Sequence, residues 1–154
     1  MARASLHSVS DALGRTVESI QKAITQVVLE RGWALTQLPG KLIWSLALRG
    51  ERTYACYIQI EPEEGRTVFY GVVPGTVPEP ARTDAAVAIT AINYGLAVGK
   101  FELDLTDGEL RFSNGIDVTG TVLDPVVYAR LVDHVISMLD AYVPTLSSRL
   151  ALEG

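Results

Sequence analysis

Asn93-Tyr-Gly-Leu-Ala-Val-Gly-Lys-Phe-Glu-Leu-Asp-Leu-Thr-Asp-Gly-Glu-Leu-Arg-Phe-Ser-Asn-Gly-Ile-Asp-Val118 is the stretch whose reading decides the fold. It holds the end of an apolar helix, a glycine stop and a hairpin. Asp107-Gly108 is the residue pair that a two-residue type I′ turn calls for, because both central positions of that turn need φ > 0. Folding about it sets Leu105 opposite Leu110, Asp104 opposite Arg111 and Leu103 opposite Phe112. One face then carries Leu103, Leu105, Leu110 and Phe112. The other carries an Asp104–Arg111 pair between Glu102 and Glu109. A slip by one residue would turn every apolar side chain to solvent, so the register is well specified. Asn93 stands late in the apolar helix and reads as a structural amide, satisfying backbone groups near the helix end or in the adjacent loop.

Before the hairpin, Ala85, Ala86, Val87, Ala88, Ile89, Ala91, Ile92 and Leu96 surround the helix axis. A helix apolar on all sides is expected to be buried on more than one. It starts between Pro80 and Thr83, after the extended, proline-rich Pro74–Pro80 segment, and ends at Gly95 or Gly99. Four strands are expected upstream, at Trp33–Leu38, Leu42–Arg49, Thr53–Glu61 and Arg66–Val73. Pro39-Gly40, Gly50-Glu51 and Pro62–Gly65 join them, and these tight turns make neighbouring strands antiparallel. A first helix with Thr16 as N-cap runs to Gly32, and residues 1–14 read as a loose tail. Asp124-Pro125 starts the last helix, whose apolar face opposes a polar stripe of Arg130, Asp133, His134, Ser137 and Asp140. Pro144 is expected to end or kink it. The fold class is α+β: one domain over residues 1–154, a mostly antiparallel sheet with three main helices packed on it, in the order α-ββββ-α-ββ-α.

Charge and composition narrow the function. With 18 acidic and 13 basic residues the chain carries a net charge of −5, and its lysines and arginines form no run, which excludes the basic footprint of a nucleic-acid binder. The longest apolar region, Ala85–Val98, is interrupted and shorter than the ~20 residues of a membrane span. The one cysteine, Cys56, permits no internal disulfide and fits a reducing compartment, so a cytoplasmic protein is expected.

No catalytic signature emerges. His7 lies in the expected tail and His134 on a polar stripe. Cys56 alternates with core residues and reads as inert. Neither metal spacing nor a phosphate loop is present, so no catalytic residue, cofactor or metal is expected. What remains is apolar surface. Ile43, Ala47, Tyr57 and Phe69 are expected on the sheet face away from the core, as an interaction surface. Ala88 and Ala91, on the all-apolar helix, are expected to line a homodimer interface. Asn93, Asp107 and Gly108 are expected to be structural.

Several segments taken together resemble the YbjN-like family of bacterial proteins. They are Gly32-Trp33, Val77-Pro78, the helix with Asn93, Gly99-Lys-Phe-Glu-Leu-Asp, Asp107-Gly-Glu-Leu-Arg-Phe, and Asp140 with Pro144-Thr-Leu. The resemblance runs from about Thr16 to Leu150. It implies a fold like that of the small acidic type III secretion chaperones, which commonly pair as dimers, and a family labelled a sensory transduction regulator. It supplies no catalytic residues. The expected function is therefore a non-enzymatic protein-interaction or chaperone-like regulatory protein with a protein or peptide partner. The alternative is a small-molecule-binding regulator or small enzyme with an unrecognised pocket, which would require a polar cleft with convergent ionisable groups.

Overall fold

The computed structural model describes residues 6–154, with side chains from Leu13 onward. Three helices, α1 (Leu6–Arg31), α2 (Arg82–Tyr94) and α3 (Pro125–Arg149), accompany six strands. The strands are β1 (Thr36–Gln37), β2 (Ile43–Arg49), β3 (Thr53–Glu61), β4 (Arg66–Thr76), β5 (Lys100–Leu103) and β6 (Glu109–Asp117). All ladders are antiparallel, in the order β1-β2-β3-β4-β6-β5. The element order is the expected α-ββββ-α-ββ-α.

Strand alternation makes the core. Tyr54, Cys56, Ile58 and Ile60 of β3, Phe69 and Val73 of β4, and Leu110 and Phe112 of β6 point to one face. There they meet Ile20, Ala23 and Val27 of α1 and Tyr128, Val132, Val135, Leu139 and Val143 of α3. Among the described residues no helix packs on the opposite face, where Ala47 and Ala55 are exposed.

The first helix begins at Leu6, so the expected loose tail through residue 14 is helical from there on; residues 1–5 lie outside the described part. Thr16 does not cap it but sits buried inside it, 2% exposed. No proline interrupts Leu6–Arg15, so the preceding turn can supply the backbone partners that a cap would otherwise replace. Gly32, at φ +64, does end α1, with Trp33 N–H donating back to the Val28 carbonyl. Asp124 caps α3 through Val126 N–H. Pro144 neither ends α3 nor stops its last turns. The helix continues to Arg149, with buried Val143 and Leu146 holding both sides of the lost hydrogen bond against the core.

The hairpin departs from its expected register by two residues. Leu103 faces Leu110, Glu102 faces Arg111 and Phe101 faces Phe112. The connection is a five-residue loop, Asp104–Gly108, closed by Asp104 N–H to the Glu109 carbonyl (2.9 Å) and Gly108 N–H to the Asp104 carbonyl (2.8 Å). Asp107 lacks the positive φ of a type I′ turn; Gly108, at φ +80, has it alone. The cause is Asp104, whose Oδ1 accepts from both Thr106 N–H and Thr106 Oγ1, a local pattern that competes with the ladder. Leu105 is consequently 59% exposed, and the charge pair is Arg111–Glu102. Because the shift is even, the inward parity of Leu103, Leu110 and Phe112 survives.

Asp140 of α3 anchors the β2–β3 turn. Its Oδ1 accepts from Glu51 N–H (3.0 Å) and Tyr54 Oη (2.6 Å), and burial followed by this carboxylate pushes the Tyr54 phenol up from its ordinary pKa. Asp140→Ala is expected to cost about 2 kcal/mol, since a buried hydroxyl loses its acceptor. Adding Tyr54→Phe in that background should cost little more. Urea midpoints of the variants check this, and two fully additive losses would contradict it.

Candidate functional site

Two surfaces and one groove are candidates. The first surface is the helix-free face of the sheet. Odd-numbered residues of β2 and β3 share it, so Ile43, Ala47 and Tyr57 stand together as expected from their spacing. Phe69 does not join them. It pairs with Ile58 and Asn114 on the core side and is 0% exposed, a correction to its expected place. Apolar residues fall on both faces of β4 (Val68 and Val72 on one, Phe69 and Val73 on the other), so composition leaves its parity open; its ladder with β3 decides it. Tyr70 takes the outer position, its ring stacked on Tyr57 at 5.0 Å and 22°. The Arg111 guanidinium lies 4.2 Å from the Tyr70 ring centroid and 3.3 Å from Glu102 Oε1. Gln59, Val68, Lys100 and the Arg66–Glu61 ion pair complete a shallow, mixed polar and aromatic depression.

The second surface is α2. Its expected burial on several sides is not found: Ala85 and Ile89 alone are fully buried, while Val87 is 68% and Tyr94 95% exposed. Ala91 is exposed, whereas Ala88 lines a cleft against Tyr142 and Leu146 of α3. Apolarity around an alanine-rich helix thus marks open surface here rather than enclosure. Asn93 clips α2 to the outer edge of β5. Its Nδ2 donates to the Phe101 carbonyl (2.9 Å) and its Oδ1 accepts from Phe101 N–H (2.8 Å), the pair of bonds a neighbouring strand would make.

The groove, of about 650 Å³, lies between β6 and α3 and is lined by Val98, Ile116, Val127, Leu131, His134 and Ser137, among others. His134 is not the solvated surface residue expected. It is half-buried, donates Nε2–H to the Val98 carbonyl at 3.1 Å and sits edge-on to Phe112. Cys56 is fully buried, and burial pushes its thiol pKa up to about 12, which makes it a poor nucleophile. Among the described residues no three His, Cys, Asp or Glu side chains group as metal ligands, and no helix is long and apolar enough to cross a membrane. Sequence reasoning missed Tyr70, Tyr94 and the groove. The first two carried a signal, an aromatic beside small residues, but the groove depends on strand lengths.

A family model described as "YbjN: Putative bacterial sensory transduction regulator" matches residues 20–148. No curated protein matches the sequence significantly. Among solved structures, YbjN from E. coli, described as "a putative transcription regulator", superposes with TM-score 0.62 at 16% identity, covering 86% of this chain and 93% of its own. The HopA1–SchA chaperone–effector complex contains a similar chain, with TM-score 0.59, 10% identity and coverage of 82% and 94%. The ExsC–ExsE complex contains another, with TM-score 0.56, 12% identity and coverage of 86% and 94%. At these identities the likeness is one of fold, and it is the chaperone-like fold expected from the sequence.

Proposed function

The chain belongs to the YbjN family, and from that premise we propose that it is a non-enzymatic regulatory protein of the bacterial cytoplasm that acts as a homodimer by binding another protein. The observation that carries this reading is the open strip of α2. From Ala85 to Tyr94 no residue is charged, yet Val87, Ala91 and Tyr94 are exposed. A contiguous apolar strip of that kind is where a soluble protein meets a partner, and a two-fold pair is the commonest solution. The chaperone–effector complex among its fold neighbours supports a protein as the further partner. The aromatic outer sheet face, bare of helices, is the surface offered to it.

Light scattering after size exclusion tests the dimer. A mass near twice 16.6 kDa is expected, and Ala91→Glu should yield folded monomer. Ala88→Glu is the poorer choice, because it would also disrupt the cleft with α3. A wild-type mass near 16.6 kDa overturns the dimer. For the partner, a photoreactive residue at Tyr57 should give a discrete protein adduct in the native cell, retained when Cys56 is changed to serine. Absence of any adduct overturns the protein-binding reading.

A further inference from the structure

The sheet contains a vacant strand position beside β6. β6 runs to Asp117, but its neighbour β5 begins only at Lys100, opposite Ser113, because Gly99 at φ +73 turns the chain away. Two independent observations fix which way the β6 backbone points. Asn93 occupies the outward N–H and C=O of Phe101, so Lys100 and Glu102 face β6, and their partners Ser113 and Arg111 face β5. On the other side, Val118 N–H donates to the Gly65 carbonyl, which assigns even-numbered residues to β4. By the two-residue period, the backbone groups of Gly115 and Asp117 point past the start of β5. Neither has a backbone partner on that edge among the described residues.

We propose that this position binds a short extended segment of a partner protein, added antiparallel to β6. The proposal rests on the protein-binding reading above and adds a strand-edge site to the outer sheet face. The unpaired groups at strand spacing call for another backbone, the mode of β-strand addition. The surroundings define the side chains. The segment's residue opposite Ile116 points into the groove toward Val98, Val127 and Leu131, and Val98 and Val127 are 55% and 41% exposed at its mouth. A leucine-sized apolar anchor fits there. The residue opposite Gly115 lies on the outer face, next along the same line to Lys100. Lys100 is exposed and makes no ion pair among the described residues, so an acidic side chain is favoured. The residue opposite Asp117 must not be acidic, since like charges directly across a ladder repel. The recognised order is therefore non-acidic–apolar–acidic, from N- to C-terminus.

Amide hydrogen exchange on the full chain tests the vacancy without any ligand. Gly115 and Asp117 should exchange roughly a hundredfold faster than Asn114 and Ile116, which bond to β4. Equal protection of all four overturns the proposal. The probe is the acetylated, amidated peptide Thr-Leu-Asp-Thr, titrated to about 1 mM, the range of weak complexes. It should slow exchange at Gly115 and Asp117, roughly tenfold at ten times its dissociation constant. Val127→Glu, at a partly exposed position, should abolish that effect without unfolding the chain. No change at the two amides, or a change that Val127→Glu leaves intact, overturns the proposal. A partner cross-linked from Tyr57 that leaves Gly115 and Asp117 unprotected overturns this site alone and leaves the protein-binding reading standing.

Discussion

Truncating Leu139 to alanine is expected to destabilise the protein by about 3–4 kcal/mol, within the range for a fully buried leucine whose cavity cannot collapse. Leu139 is 0% exposed, and its Cδ1 fills the space over Gly71: a Cβ built on Gly71 would stand 2.5 Å from it. The next atoms, Cys56 Sγ and Val135 Cγ1, are at 3.5 Å, an ordinary contact. The two positions therefore share one volume. Gly71→Ala alone should cost about 1–3 kcal/mol by overpacking. In the Leu139→Ala background the same change should become favourable, by about 1 kcal/mol, since it refills part of the cavity and removes a strand glycine. Equilibrium urea unfolding of the four proteins closes the cycle. Additive losses would show that the helix and sheet relax independently at this point.

Gly108→Val should be comparably severe, costing about 3 kcal/mol or more. At φ +80 a β-branched residue is strained, and strain of this kind costs roughly 1–3 kcal/mol. Space adds to it: a Cβ there would lie 2.3 Å from the Val77 carbonyl oxygen. That oxygen belongs to a junction. Val77 N–H donates to the Gly108 carbonyl at 2.9 Å, while Arg82 at the start of α2 donates to the carbonyls of Val77, Leu105 and Thr106. Displacing Gly108 thus pulls on β4, the hairpin loop and α2 together. Gly108→Ala keeps the strain and removes the branch, so it should fall between wild type and valine. Thermal and urea unfolding of both variants checks the order, and a valine variant with the wild-type midpoint would contradict the junction.

The hairpin, Gly32, the Asp124-Pro125 start and the order of elements were legible because each rests on local chemistry: alternation, a left-handed glycine, a cap. The misreadings share a different origin. The hairpin register moved by two because the Asp104 carboxylate captured Thr106, a side-chain competition invisible to alternation. Phe69 departs from its expected face because both faces of β4 are apolar. The enclosure expected of α2 fails because apolarity says that a surface avoids water, not whether its cover comes from the same chain. The groove and the vacant position beside it come from the unequal lengths of β5 and β6, a property of two segments together that neither encodes alone.

The clip made by Asn93 also bears on how this protein behaves in crowded solution. An exposed sheet edge is a template on which further molecules can stack, and fibre-forming segments are typically six or seven residues long. Here the edges are cut into short pieces. β1 covers β2 at Trp44 and Ser45, leaving only Leu46–Arg49 bare. β5 has four residues with Phe101 already taken by an amide, and the open part of β6 stops at Asp117. None is long enough to seed fibril growth, so the folded chain can offer a strand slot to a partner without inviting copies of itself to polymerise. Concentrated samples that form fibres should do so only under conditions that first release the end of α2 from Phe101.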